Sequence, residues 1–462
     1  MPNLDPPSRE RIRKPLFHDK TIAGLLLLVG LLSSLLAFLV TVRDGFQYPG
    51  VDLRCRVVAA RAIRMGLDPY QYEWREGMSE QLLDPGRRRP GPSRATYPPT
   101  LLMLYVPLSG FPYQTQRVIW FLLEWSALVA SLALLVGVVR SRAARTAFLA
   151  LGMFFFVSGD LWRFHVERGQ FYVFVLLLMA LGTRSLVRHG REGWRTGIFF
   201  GLAAALRPTF FLMALPLAVL GYRKSAVAMA ATLAIAIALT LPWVGLQGWA
   251  SYLVTMRVWE QAAAAEDRGE DLFLRTCGPA RPVPMTAEGI DFFHNLPIET
   301  AGSTLLANFY PVYSGLRRLV PLPPLMTIAR IGFLAFVFAV GGVAVSLRWR
   351  ARAVSPRFIA ALGALACIDG EYFLPIRYSY ADILFLLPLA LLIPALLRLE
   401  RMGFARTFVI AGLLLGGYRS LIGGHAEPIE FLFLAFALTV ALLQLAATPH
   451  SPGRDKGDSH QN

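Results

Sequence analysis

Between Thr21 and Val42 the chain runs 22 residues without a charge, and apolar runs of this kind recur to its far end. A helix needs about 20 apolar residues to cross the ~30 Å hydrocarbon core of a bilayer. Repetition on this scale predicts an all-α polytopic membrane protein. Hydrophobic residues make up 55% of the chain and charged residues only 16%, against about 25% in soluble proteins. With Gly 39, Pro 31 and Cys 3, disordered, collagen-like and disulfide-scaffold classes are excluded as well.

The first run follows a basic start (Arg9, Arg11, Arg13, Lys14, Lys20). It is longer than a signal-peptide core and has no small-x-small cleavage site, so it reads as a retained helix. Further spans are expected at 115–140, 143–159, 169–184, 194–207, 208–222, 224–243, 326–347, 355–372, 382–398, 404–419 and 427–446, about twelve in all. Alternate short loops carry sixteen Arg and Lys: Arg140, Arg142 and Arg145; Arg184, Arg188, Arg191 and Arg195; Arg223 and Lys224; Arg348, Arg350, Arg352 and Arg357; Arg398, Arg401 and Arg406. The opposite set holds five: Arg163, Arg168, Arg207, Arg377 and Arg419. The positive-inside rule then puts both termini in the cytoplasm, as a tail over 1–20 and a flexible tail over 448–462. The body, 21–447, sends two long loops, 43–97 and 244–324, to the outer face.

Residues 98–114 are charge-free yet carry Pro98, Pro99, Pro107 and Pro112, which rules out an uninterrupted helix. A re-entrant or interfacial segment on the outer face is expected, because irregular backbone at that depth is tolerated only beside protein or a water-filled cavity. A net charge of +16 in such scattered clusters predicts contact with membrane lipids and no nucleic acid. Only Lys14, Lys20, Lys224 and Lys456 are lysine, an arginine bias that fits a GC-rich bacterial genome. Cys55, Cys277 and Cys367 have neither CxxC nor metal spacing and read as unpaired thiols. No phosphate-cradling loop, metal site or cofactor is predicted.

The polar residues of interest gather on the expected outer face. Residues 53–65 form a helix stopped by Gly66 and the Asp68-Pro69 turn, with Tyr70 following. Asp52 at its start is either a helix cap or a general base at the membrane surface. Arg54, Arg61 and Arg64 share one broad face of it. Asp160, Arg163, His165, Glu167, Arg168 and Gln170 precede one span, and His165 taken alone reads as a hydrogen-bonded structural histidine. Asp369, Glu371, Arg377, Tyr378, Tyr380 and Asp382 join two others. Arg207 lies inside an apolar stretch beside Pro208, where an ionisable group is costly and usually functional.

Asp52, Gly66-x-Asp68-Pro69-Tyr70, Tyr97-Pro98-Pro99, Arg168-Gly169-Gln170 and Gly201-Leu-Ala-Ala-Ala-Leu-Arg207-Pro208 occur in this order. Together they resemble glycosyltransferase family 87, the bacterial polyprenol-phosphate-mannose-dependent mannosyltransferases of the GT-C fold. The resemblance covers roughly residues 20–445. It implies an inverting transfer of a sugar, mannose in that family, from a polyprenyl-phosphate donor to a hydroxyl of a lipid or polysaccharide acceptor on the periplasmic face. Asp52 would be the catalytic base, with Arg207, Arg377 and Arg168 on the donor phosphate. Asp68, Tyr70, Tyr97, Asp160, His165, Gln170, Tyr378 and Asp382 are the pocket candidates. Where the family often has Lys-Pro, this chain has Arg207-Pro208; where it often has histidine after Pro375, this chain has Tyr378, Tyr380 and Asp382. A polyprenyl-linked lipid flippase or transporter, or an O-antigen ligase or polymerase type of enzyme, is the alternative. A transporter predicts inverted repeats and charges near the midplane, of which Glu124 is the main example here.

Overall fold

The computed structural model describes residues 20–47, 50–70, 77–83, 85, 95–266, 325–350, 354–373, 379–398, 402–417 and 427–447. Every α-helix, 3-10 turn and π-turn in it is helical structure, and no strand occurs among the described residues. In chain order the helices are α1 (Lys20–Gln47), α2 (Val51–Arg64), α3 (Pro99–Leu102), α4 (Tyr113–Val138), α5 (Arg142–Leu151), α6 (Asp160–Arg168), α7 (Tyr172–His189), α8 (Trp194–Leu206), α9 (Ala214–Val219) and α10 (Arg223–Glu266). After residue 324 come α11 (Leu325–Trp349), α12 (Pro356–Glu371), α13 (Leu386–Arg398), α14 (Gly403–Gly417) and α15 (Glu427–Ala447).

Among the described residues six helices are long and apolar enough to cross a membrane: Thr21–Gly45, Tyr113–Val138, Tyr172–Glu192, Arg223–Arg257, Thr327–Trp349 and Tyr380–Leu397. A seventh candidate is the pair Arg142–Val157 and Asp160–Arg168, bent by 54°. The expected dozen spans is therefore not reached by length. The apolar segments Trp194–Leu206, Pro208–Val219, Gly403–Leu414 and Leu434–Ala446 are helical but short. Proline accounts for one of these breaks: Pro208 has no N–H to continue α8, so the chain passes through an extended Arg207 into a 3-10 turn over Pro208–Met213.

The stretch from 244, expected to open a loop, differs. α10 continues as helix to Glu266 across a kink at Gly245 (φ 62°), three residues after Pro242. Trp249 Nε1 donates to Thr240 Oγ1 at 2.9 Å across that kink and ties its two halves together. Of the Pro98–Gln116 stretch, only the single turn α3 and the start of α4 are helical, with turns between. The tails, most of the 43–97 and 244–324 loops beyond these elements, Cys277, Arg377 and Tyr378 lie outside the described residues. Cys367 is a free, buried thiol.

Packing is asymmetric. α1 exposes Leu25, Leu28, Leu32, Leu36 and Leu39, a leucine surface suited to lipid and too large to leave in water. α7, α12 and α13 are buried at the centre, with Val173, Leu176, Ala364, Cys367, Leu389 and Ala390 inaccessible or nearly so. α8 meets α10 through Gly197 and Gly201. A Cβ on Gly197 would fall on the Ser225 carbonyl and one on Gly201 would lie 2.7 Å from the Met229 carbonyl, so the two backbones touch. Small residues four apart allow this approach, and it supplies helix contact where lipid removes the hydrophobic drive.

Candidate active site

Asp52 lies in the first turn of α2, where the helix N-terminus favours negative charge. It does not cap the helix. The N-cap is Gly50, in a left-handed conformation and without a side-chain cap bond. The Asp52 carboxylate instead points at the C-terminal end of α6. Arg168 Nε donates to Oδ2 at 2.5 Å and Nη2 to Oδ1 at 3.1 Å. Gln170 Nε2 donates to the same Oδ2. The ion pair sits at the rim of the packed interior, with the Arg168 side chain 19% and the Asp52 side chain 16% exposed.

A tight turn brings Arg168 and Gln170 to the same carboxylate. α6 ends at Gly169 (φ 69°, ψ 54°), with Gly169 N–H on the Val166 carbonyl and Gln170 N–H on the His165 carbonyl. This pair of bonds with a left-handed glycine is a Schellman turn, and it reverses the chain within two residues. A Cβ at Gly169 would approach Leu53 Cβ to 2.7 Å and Arg117 Nη1 to 3.1 Å. Glycine is thus required both for φ and for the contact of this turn with α2. Arg117, buried on α4, secures the same end by donating from Nη2 to the Val166 carbonyl at 2.6 Å and from Nε to the Gly45 carbonyl at 3.2 Å.

Behind Asp52 stands a residue that the sequence motifs did not single out, Arg56, one turn further along α2. Its guanidinium is fully buried and donates to Tyr97 Oη at 2.7 Å, Gln170 Oε1 at 2.6 Å, the Gly169 carbonyl at 2.8 Å and Tyr105 Oη at 3.3 Å. The Tyr97 ring lies 4.2 Å and the Phe171 ring 5.1 Å from its central carbon, both within cation–π reach. Gln170 therefore bridges Arg56 and Asp52, and its amide orientation follows from having a donor on one side and an acceptor on the other. A signal was present in the sequence: Asp52 and Arg56 are four apart, the spacing that places both on one helix face.

These charges fix the protonation of Asp52. Burial alone would raise its carboxyl, but Arg168 first, then Arg56 and Gln170, outweigh burial and hold it below the ordinary aspartate value. Burial pushes the Tyr97 phenol up, against the opposing pull of Arg56, so it stays a neutral hydroxyl.

The remaining candidates fall into three places. Asp68 and Tyr70 support the Tyr97 segment: Asp68 Oδ1 accepts from Tyr70 N–H at 2.8 Å, and Tyr70 Oη donates to the Tyr97 carbonyl at 2.7 Å. Tyr70 also meets Tyr252 of α10, ring centres 5.7 Å apart. His165 is buried away from Asp52 under the Trp162 ring. Its Nε2 accepts from Val173 N–H at 3.3 Å, leaving Nδ1 facing Glu124 Oε1 at 3.2 Å. His165 and Glu124 thus face one another, both inaccessible, in the packed interior. Asp160 opens α6 and Asp382 is buried in the 3-10 turn Ser379–Phe385; neither bonds to Asp52.

Arg207 forms a second ion pair. Its Nε donates to Glu371 Oε1 at 2.5 Å, and Thr209 Oγ1 donates to the same oxygen at 2.8 Å. Glu371 is completely buried, and the Arg207 side chain is 18% exposed. Glu371 belongs to the polar segment that joins two spans, 164 positions further along the chain. A row of rings joins the two ion pairs. Arg168 lies 6.0 Å from the centre of the Tyr380 ring, Tyr380 is 5.7 Å from Tyr172, and Arg207 is 5.7 Å from the Tyr172 ring. Among the described residues no group of three or more His, Cys, Asp and Glu is arranged to hold a metal.

The arrangement places a carboxylate, two arginines and two tyrosine rings in one connected row. No curated protein and no solved structure matches the chain. A family model does: residues 95–270, which include Tyr97, Arg168, Gln170 and Arg207 and leave Asp52 outside, match the model of glycosyltransferase family 87. Over residues 95–270 the chain is thus similar to glycosyltransferase family 87, and its long apolar helices are those of a membrane protein.

Proposed function

We propose that the protein transfers a sugar, mannose by resemblance to the family, from a polyprenyl-phosphate donor to a lipid or polysaccharide hydroxyl on the periplasmic face of the bacterial inner membrane, with inversion at the anomeric carbon. The observation that carries this reading is the Asp52 carboxylate, turned away from its helix cap and held at the rim by Arg168 and Gln170. In transfer, the acceptor oxygen bonds to the anomeric carbon while its proton passes to Asp52. The bond from that carbon to the phosphate oxygen breaks, and its electrons leave with the polyprenyl phosphate. Arg207 and Arg168 stabilise the charge that develops there, a preorganised electrostatic contribution. Arg377 is the third arginine of this set by sequence. A donor whose tail stays in the bilayer presents its phosphate at the interface, so the chain needs no nucleotide-binding domain. Tyr172 and Tyr380 supply flat apolar surface for a sugar ring between the two ion pairs, in place of the family's histidine.

Incubating membranes that contain the protein with labelled polyprenyl-phosphate mannose tests the reading. Label appearing in a lipid or polysaccharide product supports it. Label that changes leaflet while remaining on its polyprenyl phosphate identifies a flippase instead.

A further inference from the structure

The two arginines around Asp52 are held in different ways. Arg56 is fully buried, held by four hydrogen bonds and packed near the Tyr97 and Phe171 rings. It reaches Asp52 only through Gln170. Arg168 touches Asp52 directly with two of its three nitrogens, lies at the rim, and rests on the rings of Phe164 at 5.2 Å and Tyr380 at 6.0 Å. Tyr380 is also the ring that leads, through Tyr172, to Arg207. Arg168 thus touches both the Asp52 carboxylate and the row of rings that leads to the second arginine.

From this we infer that Arg168 is a counter-ion shared by the base and the leaving group, which passes from Asp52 to the departing phosphate during transfer. The inference rests on the reading of Asp52 as base and of a polyprenyl phosphate as donor. The movement of charge during transfer favours such an exchange. Before transfer, Asp52 carries one negative charge and the donor phosphodiester one. The acceptor proton then moves to Asp52, the acceptor oxygen bonds to the anomeric carbon, and the electrons of the broken bond go to phosphate. Asp52 ends neutral and the phosphate monoester carries up to two charges. One negative charge has moved from carboxylate to phosphate, and a guanidinium left beside a neutral acid in a low-dielectric site loses its partner. A single arginine that follows the charge serves both ends of the reaction. It also keeps Asp52 neutralised until donor arrives, so the base gains strength only in the loaded site.

Binding of the leaving group itself tests this and needs no acceptor. The probe is undecaprenyl phosphate, titrated against the full-length protein in nanodiscs. Asp52→Asn mimics the protonated base and releases Arg168, so the variant should bind the probe about tenfold more tightly than the wild type, a size ordinary for coupled charged neighbours. In an Arg168→Gln background the same Asp52→Asn change should bring little gain, and in Arg168→Lys, which keeps the charge, an intermediate one. Arg168 acting only as a structural brace would leave the gain equal in all three backgrounds, because removing a carboxylate favours any anion. Equal gains therefore overturn the shared counter-ion and leave the donor reading standing. A wild-type protein that does not bind the probe removes the donor reading, and the inference with it.

Discussion

Asp52 and Arg168 are 116 positions apart in the chain, yet Arg168 holds both oxygens of the Asp52 carboxylate, at 2.5 Å and 3.1 Å. The contact joins the first turn of α2 to the last turn of α6. It exists because Gly169 reverses the chain there and sends Gln170 back to the same oxygen. The chemistry proposed for the protein depends on this one junction, and the predictions below probe it from different sides.

The first concerns the turn. Alanine at position 169 must adopt a left-handed backbone, which costs roughly 1–2 kcal/mol. Its Cβ would also press on Leu53, 2.7 Å away. Gly169→Ala should lower the melting temperature in detergent and reduce transfer, because Arg168 and Gln170 shift together. Alanine at Gly24, where a Cβ meets nothing within 4 Å, should leave both unchanged. Equal behaviour of the two variants would contradict the role given to the turn.

A second follows from the charge around Asp52. Arg168 and Arg56 hold its carboxyl below the ordinary 3.8. A base works deprotonated, so the acid limb of kcat/KM should lie below that pH and transfer should be flat from neutrality down to about pH 5. Arg168→Gln leaves burial less opposed, so the limb should move to higher pH. The same sign applies to stability: a lowered carboxyl contributes stability above its unfolded pKa and loses it as pH falls through the folded one. An Asp52 limb near neutrality in the wild type would contradict the pairing seen here.

The third separates binding from bracing at Arg207. Arg207→Met leaves Glu371 charged and buried without its partner, which costs on the order of 3–5 kcal/mol. That loss would obscure any effect on donor. The double variant Arg207→Met with Glu371→Gln removes both charges and should recover most of the melting temperature. If Arg207 addresses the donor phosphate, the double variant should still bind undecaprenyl phosphate at least tenfold more weakly, in keeping with the loss of a charge-assisted contact. Wild-type affinity in the recovered variant would make Arg207 purely structural.

Orientation is open to labelling. Cysteine at Glu80, in the expected outer loop, should react with an impermeant thiol reagent in intact spheroplasts. Cysteine at Glu192, exposed beside Lys224, should react only after lysis. Both are placed in a background lacking native cysteines. The reverse pattern would invert the topology and move the site to the cytoplasmic face.

Much of this architecture was legible as hydropathy. The apolar runs expected at 115–140, 326–347 and 427–446 became α4, α11 and α15 within two residues at either end. Span count was not legible, because Pro208 shortens helices in ways that a run of apolar letters hides. Nor was the helical continuation of α10 beyond 244, where the chain kinks at Gly245 and the Trp249–Thr240 bond ties the two halves together. In the site, Asp52, Arg168, Gln170 and Tyr97 were each visible as motif residues. Arg56 was not, because a lone arginine in a helix with three others looks like surface charge. Only the fold shows that it points inward while Arg61 reaches the Ser109 carbonyl and the Gln81 carbonyl instead.

The turnover of Asp52→Asn bears most directly on the whole account. Asparagine keeps the shape and can still meet Gln170, but it has no basicity. With labelled polyprenyl-phosphate mannose supplied to membranes containing equal amounts of folded protein, transfer by the variant should fall by about 10²-fold or more, the usual worth of a positioned general base. Near-normal transfer would contradict the assignment of Asp52 as base and shift attention to Asp68, since Asp44 is already buried against Arg163 at 2.7 Å.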